Sequence, residues 1–295
     1  MLIINNLSKS FGTFNVLNQL NWQIQPSSIT GLIGSNGAGK STLLRCIAAV
    51  YDVDQGEVLF EGQSLAADPD LRNQIVFVSD EPFYLNRFNL KEMKNLYKSF
   101  FPNFSEEKYQ ELLQLFRFDE NKQIQNFSKG LKRQSGLILA LAIQPKLLLM
   151  DESFDGLDPL MRLTLKRYLV KTVMDTGMSV VISSHNIREL EDICDHMALL
   201  ENHSIAFTQS LADLQTNYHK VQLGYNHDID EVMFKGIDYL NLTITGRIAT
   251  MVFMGNQQQT MEIIASTEPV LTNPMPISME EIFVVEMENQ VNAKS

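Results

Sequence analysis

The chain of 295 residues has little of what marks several protein classes. It holds two cysteines, Cys46 and Cys194, and neither lies in a CxxC pair or a Cys/His cluster. A disulfide framework and a zinc site are therefore disfavoured, and two buried thiols in a reducing compartment are expected. No stretch approaches the roughly 18 apolar residues of a membrane span. The longest apolar neighbourhood, Leu137 to Met150, is broken by Gln144, Pro145 and Lys146. The opening MLIINNLSKSF has no basic segment followed by an apolar run, so it does not read as a signal peptide. A chain of this kind is expected to be soluble, with any membrane role exerted through a partner. Positive charge is also scarce: 24 Lys and Arg face 35 Asp and Glu, a net −11. Such a surface matches a phosphate backbone poorly, so no nucleic-acid partner is expected. Internal repeats and low-complexity segments are lacking too.

What is present suits an α/β protein with an appendage. Hydrophobic residues make up 44%, enough for a sizeable core. Leu20, Trp22 and Ile24 recur at period two, as in a half-buried strand. Ile29 to Ile33 reads as a buried strand, followed by a glycine-rich turn and a helix from about Lys40 to Val50. Strand patterns return at 57–60, 75–79, 147–150, 179–183 and 197–200. Residues 83–144 are rich in Leu, Lys, Glu, Gln and Phe at helical spacing, with breaks near Pro102 and Asn126. Short apolar strands alternating with helices predict a largely parallel sheet covered by helices. Composition shifts near Leu214, and a boundary is placed at about residue 212. Residues 216–267 beyond it read as strands. Ser278 and Glu281 have capping-box spacing before a closing helix, and residues 290–295 are expected to fray.

Residues 34–42 read GSNGAGKST, in which Gly34, Gly39, Lys40 and Ser41 fit G-x-x-x-x-G-K-[ST]. In such a loop the backbone N–H groups of Gly34, Ser35, Asn36, Gly37, Ala38 and Gly39 can face a phosphate. The helix that follows offers its positive end to the same anion. Lys40 is suited to the β- and γ-phosphates of ATP, the Ser41 hydroxyl to Mg²⁺, and Thr42 completes the loop. LLLMDE then ends a buried strand with Asp151 and Glu152, at the sheet end where α/β proteins bind ligands. Asp151 is suited to hold Mg²⁺ and Glu152 to polarise an attacking water.

The residues between these motifs resemble one family. FSKGLKRQ at 127–134 is similar to the LSGGQ-type signature of ABC ATPases, with Lys129 and Leu131 as departures. Asp155, Gly156, Leu157, Asp158 and Pro159 resemble its D-loop, and Ser184 and His185 its switch segment. Phe11 matches an aromatic that stacks on adenine, with a core role as the competing reading. The resemblance covers about residues 1–212. It implies a P-loop ATPase core with a mainly parallel sheet, a helical ABC subdomain at about 83–144, and a small α+β C-terminal extension from 213. It also implies that Ser128, Lys129, Gly130 and Asp158 serve the nucleotide bound by a second ATPase subunit, identical or related, while His185 contacts the γ-phosphate. The implied function is ATP hydrolysis, with Glu152, His185 and Lys40 as catalytic residues. Dimer closure would power substrate transport through an integral-membrane permease, from the cytoplasmic face of the cell membrane. The tail, with Pro276, Ser278, Glu280, Glu281, Ile282 and Phe283, is most similar to bacterial drug- or peptide-exporter subunits. The family's Q-loop glutamine is replaced by Asp80, which is read as a Mg²⁺-linked carboxylate. A permease-free ABC ATPase acting in assembly or regulation is the alternative.

Overall fold

The structure, a computed structural model, describes residues 1–85 and 87–292. The chain divides into two compact units, Met1–Thr208 and Gln209–Ser295. The expected boundary near 212 falls a few residues beyond this division.

The strands of the first unit are β1 Leu2–Phe11, β2 Phe14–Ile24, β3 Ile29–Ile33, β4 Gln55–Phe60, β5 Gln63–Ser64, β6 Ile75–Val78, β7 Leu147–Asp151, β8 Ser179–Ser183, β9 His196–Glu201 and, at the division, β10 Ser204–Ser210. Its helices are α1 Lys40–Ile47, α2 Pro69–Arg72, α3 Leu90–Phe100, α4 Glu106–Leu115, α5 Lys129–Ala142, α6 Pro159–Thr176 and α7 Ile187–Glu191. One antiparallel sheet has the order β2-β1-β4-β5, and a six-stranded sheet the order β10-β9-β3-β8-β7-β6. In the larger sheet β9, β3, β8, β7 and β6 run parallel. Every residue of β3 and β7 is buried, as expected for strands covered on both faces. Leu32, Leu149, Val181 and Ala198 from this sheet share a core with Leu43, Leu44 and Ile47 of α1.

This topology places the carboxyl ends of β3, β7 and β8 side by side. Leu32 pairs with Ser183, and Asp151 pairs with Ser183 from the other side. Chain emerging after these strands therefore converges on one crevice, where open α/β sheets hold their ligands.

Regular helix in the 83–144 segment begins at Leu90, where the Asn89 and Glu92 side chains form a reciprocal capping box. Helix α4 packs on α5. Lys94 and Lys98 of α3 both donate to Glu106 of α4, at 2.7 and 3.0 Å.

The second unit contains α8 Leu211–Asn217, β11 Tyr218–Gly224, β12 Asn241–Thr245, β13 Ile248–Met254, α9 Gln257–Ala265, β14 Leu271–Met275 and α10 Met279–Asn292. Its antiparallel sheet has the order β12-β13-β11-β14, a split arrangement around α9. Only a short 3₁₀ turn, Glu231–Phe234, stands in the crossover from β11 to β12. Val221, Leu223, Phe234, Ala249, Met251, Phe253 and Ile264 form its core. The all-strand expectation for 216–267 is corrected by α9. After Gly255 ends β13 with φ +106°, Asn256 caps a glutamine-rich run. Straight-chain side chains lose little rotamer freedom in a helix, and Ile264 supplies the buried contact. The capping box at Ser278 and Glu281 is present in both directions. Helix α10 extends to Asn292, and the expected fraying at 293–295 lies outside the described residues.

Candidate functional site

The glycine-rich loop leaves β3 at Gly34 and enters α1 at Lys40. Gly34 must lack a Cβ, because one there would meet the Leu200 carbonyl oxygen at 2.3 Å. Gly39, the residue before α1, has φ +106°, a conformation that side chains rarely adopt. Lys40 Nζ donates to the Gly34 and Ser35 carbonyls at 2.8 and 3.0 Å, so the ammonium lies inside the curl of the loop. Burial pushes the Lys40 pKa down, while Glu152, Asp151 and Glu201 pull it the other way. Glu201, at the end of β9, accepts from Ser35 Oγ at 3.1 Å.

Asp151 is almost fully buried at the end of β7. Its Oδ1 accepts from Ser41 Oγ at 3.0 Å and from Ser183 Oγ at 2.6 Å. Its Oδ2 is buried and, among the described residues, has no hydrogen-bond partner. The nearest cation is the Arg45 guanidinium, 4.0 Å from Asp151 Oδ2 and 3.8 Å from Asp80 Oδ1. Arg45 is flanked by the rings of Tyr51 and Phe77. A hydroxyl beside an unsatisfied buried carboxylate oxygen is a donor set suited to a hard divalent cation. Asp80 meets this cluster at Arg45.

Glu152 follows directly, with a left-handed φ of +46°. Its backbone N–H donates to the Ser183 carbonyl at 3.1 Å. Its carboxylate lies 3.5 Å from His185 Nδ1. Ligand-capable atoms of Glu152, Asp155 and His185 all lie within 4.8 Å of one another. Phe11, Phe14, Val16, Asn36, Gly37, Lys40, Ser41, Thr42 and Glu152 line a groove of about 290 Å³. Phe11 is 48% exposed and meets Tyr51 edge-on. It therefore stands at the groove and not in the core.

Ser128 caps α5, its Oγ accepting from the Leu131 N–H at 3.2 Å, and Lys129 is exposed. Asp158 caps α6, accepting from the Met161 N–H at 3.0 Å. Within one chain the signature residues are not lining residues of the phosphate-loop groove. Residues that the sequence reading passed over also contribute: Ser183, Arg45, Glu201, Phe14 and Arg133. Arg133 donates to the main-chain carbonyls of Asp80 and Asp155.

Comparison with known proteins decides the family. The profile of the family described as ABC transporter matches residues 17–155. The lantibiotic transport ATP-binding protein SrtF of Streptococcus pyogenes is 32% identical over 202 residues, covering 68% of this chain and 86% of SrtF. The chain belongs to the ABC transporter family. The ABC transporter ATP-binding protein YtrB of Bacillus subtilis is 28% identical over 285 residues, covering 96% of this chain and 97% of YtrB. A solved ATP-binding subunit of an ABC transporter superposes with a TM-score of 0.68 at 28% identity, covering 73% of this chain and 92% of that one. As an ABC subunit the chain binds and hydrolyses ATP to drive transport, and the permease-free alternative falls away. No helix among the described residues is long and apolar enough to cross a membrane. The thiols of this ABC subunit are both buried, with burial pushing Cys46 up to about 11 and Cys194 higher still.

Proposed function

We propose that Met1–Thr208 is the ATPase domain, with 83–144 as its helical subdomain, and that Gln209–Ser295 is an appended module. Two such ATPase domains meet head to tail. ATP sits with its phosphates on Gly34 to Thr42 and its adenine against Phe11. Ser128, Lys129, Gly130 and Asp158 reach it from the second subunit. The converging carboxyl ends of β3, β7 and β8 support this placement, as does the separation of the signature residues from the same chain's groove.

Ser41 and Asp151 are the residues that would hold Mg²⁺, and the buried Asp151 Oδ2, without a hydrogen bond among the described residues, is the observation that favours it. The bound ion would offset negative charge on the β- and γ-phosphates. Asp80, 3.8 Å from Arg45, influences that position through the guanidinium. Lys40 neutralises phosphate charge. Glu152 orients a water for attack on the γ-phosphorus and accepts its proton. His185, 3.5 Å from Glu152, senses the γ-phosphate and steadies that carboxylate. The P–O bond to the leaving ADP breaks as the water oxygen bonds phosphorus, yielding ADP and phosphate. ATP drives closure only because it binds the closed pair better than the open one.

The partner is an integral-membrane permease that holds the subunit at the inner face of the cell membrane. The tail from Pro276 to Phe283 supports the likeness to exporter-type subunits.

The carrying observation is Glu152 beside His185 at the mouth of the phosphate-loop groove. The test compares ATP hydrolysis by the wild type and Glu152→Gln in the presence of Mg²⁺, with dimer mass measured on the same samples. Hydrolysis is expected to fall by about 10²-fold or more, with the variant accumulating as an ATP-bound dimer of two 33.6 kDa chains. A variant that still turns over at the wild-type rate removes Glu152 from the reaction.

A further inference from the structure

The start of α5 is packed against the turn that follows Glu152 in the same chain. A Cβ on Gly130 would meet the Gly156 carbonyl oxygen at 2.4 Å, so signature helix and turn are in backbone contact. One helical turn on, Arg133 extends across the same seam. Its Nε donates to the Asp80 carbonyl at 2.9 Å, and its Nη1 donates to the Asp155 carbonyl. Both acceptors are main-chain carbonyl oxygens. A planar guanidinium holds its donors apart in a fixed fork, whereas an ammonium carries rotatable donors on a single nitrogen.

The two loops are not fastened equally. The loop after Asp80 has an independent tie to α5: Tyr84 Oη donates to the Lys132 carbonyl at 2.6 Å and accepts from Ser135 Oγ at 2.9 Å. Among the described residues, the Asp155–Gly156 turn meets α5 through the Arg133 hydrogen bond and the Gly130 contact. Asp155 is three residues beyond Glu152, and its side chain lies within 4.8 Å of Glu152 and His185.

We propose that Arg133 is a positioning residue, a fork that makes the signature helix, the Asp80 loop and the Asp155 turn move as one body. Displacement of α5 is then transmitted to the Asp155 turn, and through it to Glu152. The inference rests on the hydrolytic reading above for its effect on rate, but the fork itself does not.

The test uses the full chain with Arg133→Ala, Arg133→Lys and Tyr84→Phe, and has two readouts. Amide hydrogen exchange without nucleotide reads the fork directly. Arg133→Ala is expected to speed exchange at 153–157 more than at 80–85, and Tyr84→Phe to do the reverse, with β3, β7 and β8 unchanged in both. Hydrolysis kinetics read the consequence. In Arg133→Ala kcat is expected to fall about tenfold with nucleotide affinity held within about twofold. Arg133→Lys, which keeps the charge but loses the rigid spacing of two donors, should be intermediate. Unchanged exchange at 153–157 overturns the fork, and so does exchange that rises throughout the chain in both Arg133 variants. A kcat within about twofold of the wild type in Arg133→Ala overturns the positioning role. A wild type that binds ATP and never hydrolyses it defeats the hydrolytic reading instead, while the exchange result still decides the fork.

Discussion

Arg45 faces two carboxylates, and they are held differently. Asp151 is fixed through Oδ1 by two hydroxyls, whereas the Asp80 carboxylate is 44% exposed and lies nearest to Arg45. Removing the Asp80 charge leaves Arg45 to Asp151, where it competes with a divalent cation. Asp80→Asn is expected to raise the Mg²⁺ needed for half-maximal nucleotide binding by about two- to fivefold. Titrations at fixed nucleotide check this, and an unchanged midpoint removes Asp80 from metal linkage. At this scale the sequence was legible where chemistry is local. Lys40, Ser41, Asp151 and Glu152 sit in short motifs whose spacing dictates their neighbours. Ser183 and Glu201 were not legible, because each acts on a residue more than 30 positions away. Only the register of parallel strands brings them there.

Helices α3 and α4 are joined by a charge cluster with a definite pH signature. Hydrogen bonds from Lys94, then Lys98 and Gln110, lower the Glu106 pKa from 4.5 to about 2 despite some burial. A depressed carboxyl contributes stability that is present above its unfolded value and lost as pH falls through the folded one. Glu106→Gln should therefore cost about 0.5–1 kcal/mol at pH 7, a small value because the carboxylate is largely exposed and screened. Wild type and variant should converge in melting temperature as pH falls from 4.5 to about 2. Melting curves across that range are the check, and a gap that persists at low pH counts against the cluster.

Element boundaries were legible where a cap or an apolar run was explicit. Ser128 before α5, Pro145 after it and Ser278 before α10 are such cases. Helix α9 was hidden, since its glutamines carry no periodic signal and Ile264 is its one fully buried residue. The order β12-β13-β11-β14 was equally hidden, being a matter of long-range pairing.

Across the whole molecule, charge is unevenly spread. Residues 209–295 carry eleven Asp and Glu against four Lys and Arg, a net −7 of the total −11. The first unit, Met1–Thr208, is thus nearer to neutral, which suits the proposed binding of polyphosphate there. The α/β architecture was readable because short apolar strands alternate with helical patterns along the chain. How the second unit folds was not, because its strands are short and its core is built from distant segments. One backbone angle has a consequence for the fold as a whole. Glu152 sits at φ +46°, where an L side chain is crowded and glycine is at ease. Glu152→Gly is expected to unfold at higher denaturant, by about 0.5–1 kcal/mol, while hydrolysing no ATP. Chemical denaturation alongside an ATPase assay would show it. A search for hardier variants of this protein would then be drawn to the very position at which sturdiness and turnover part company.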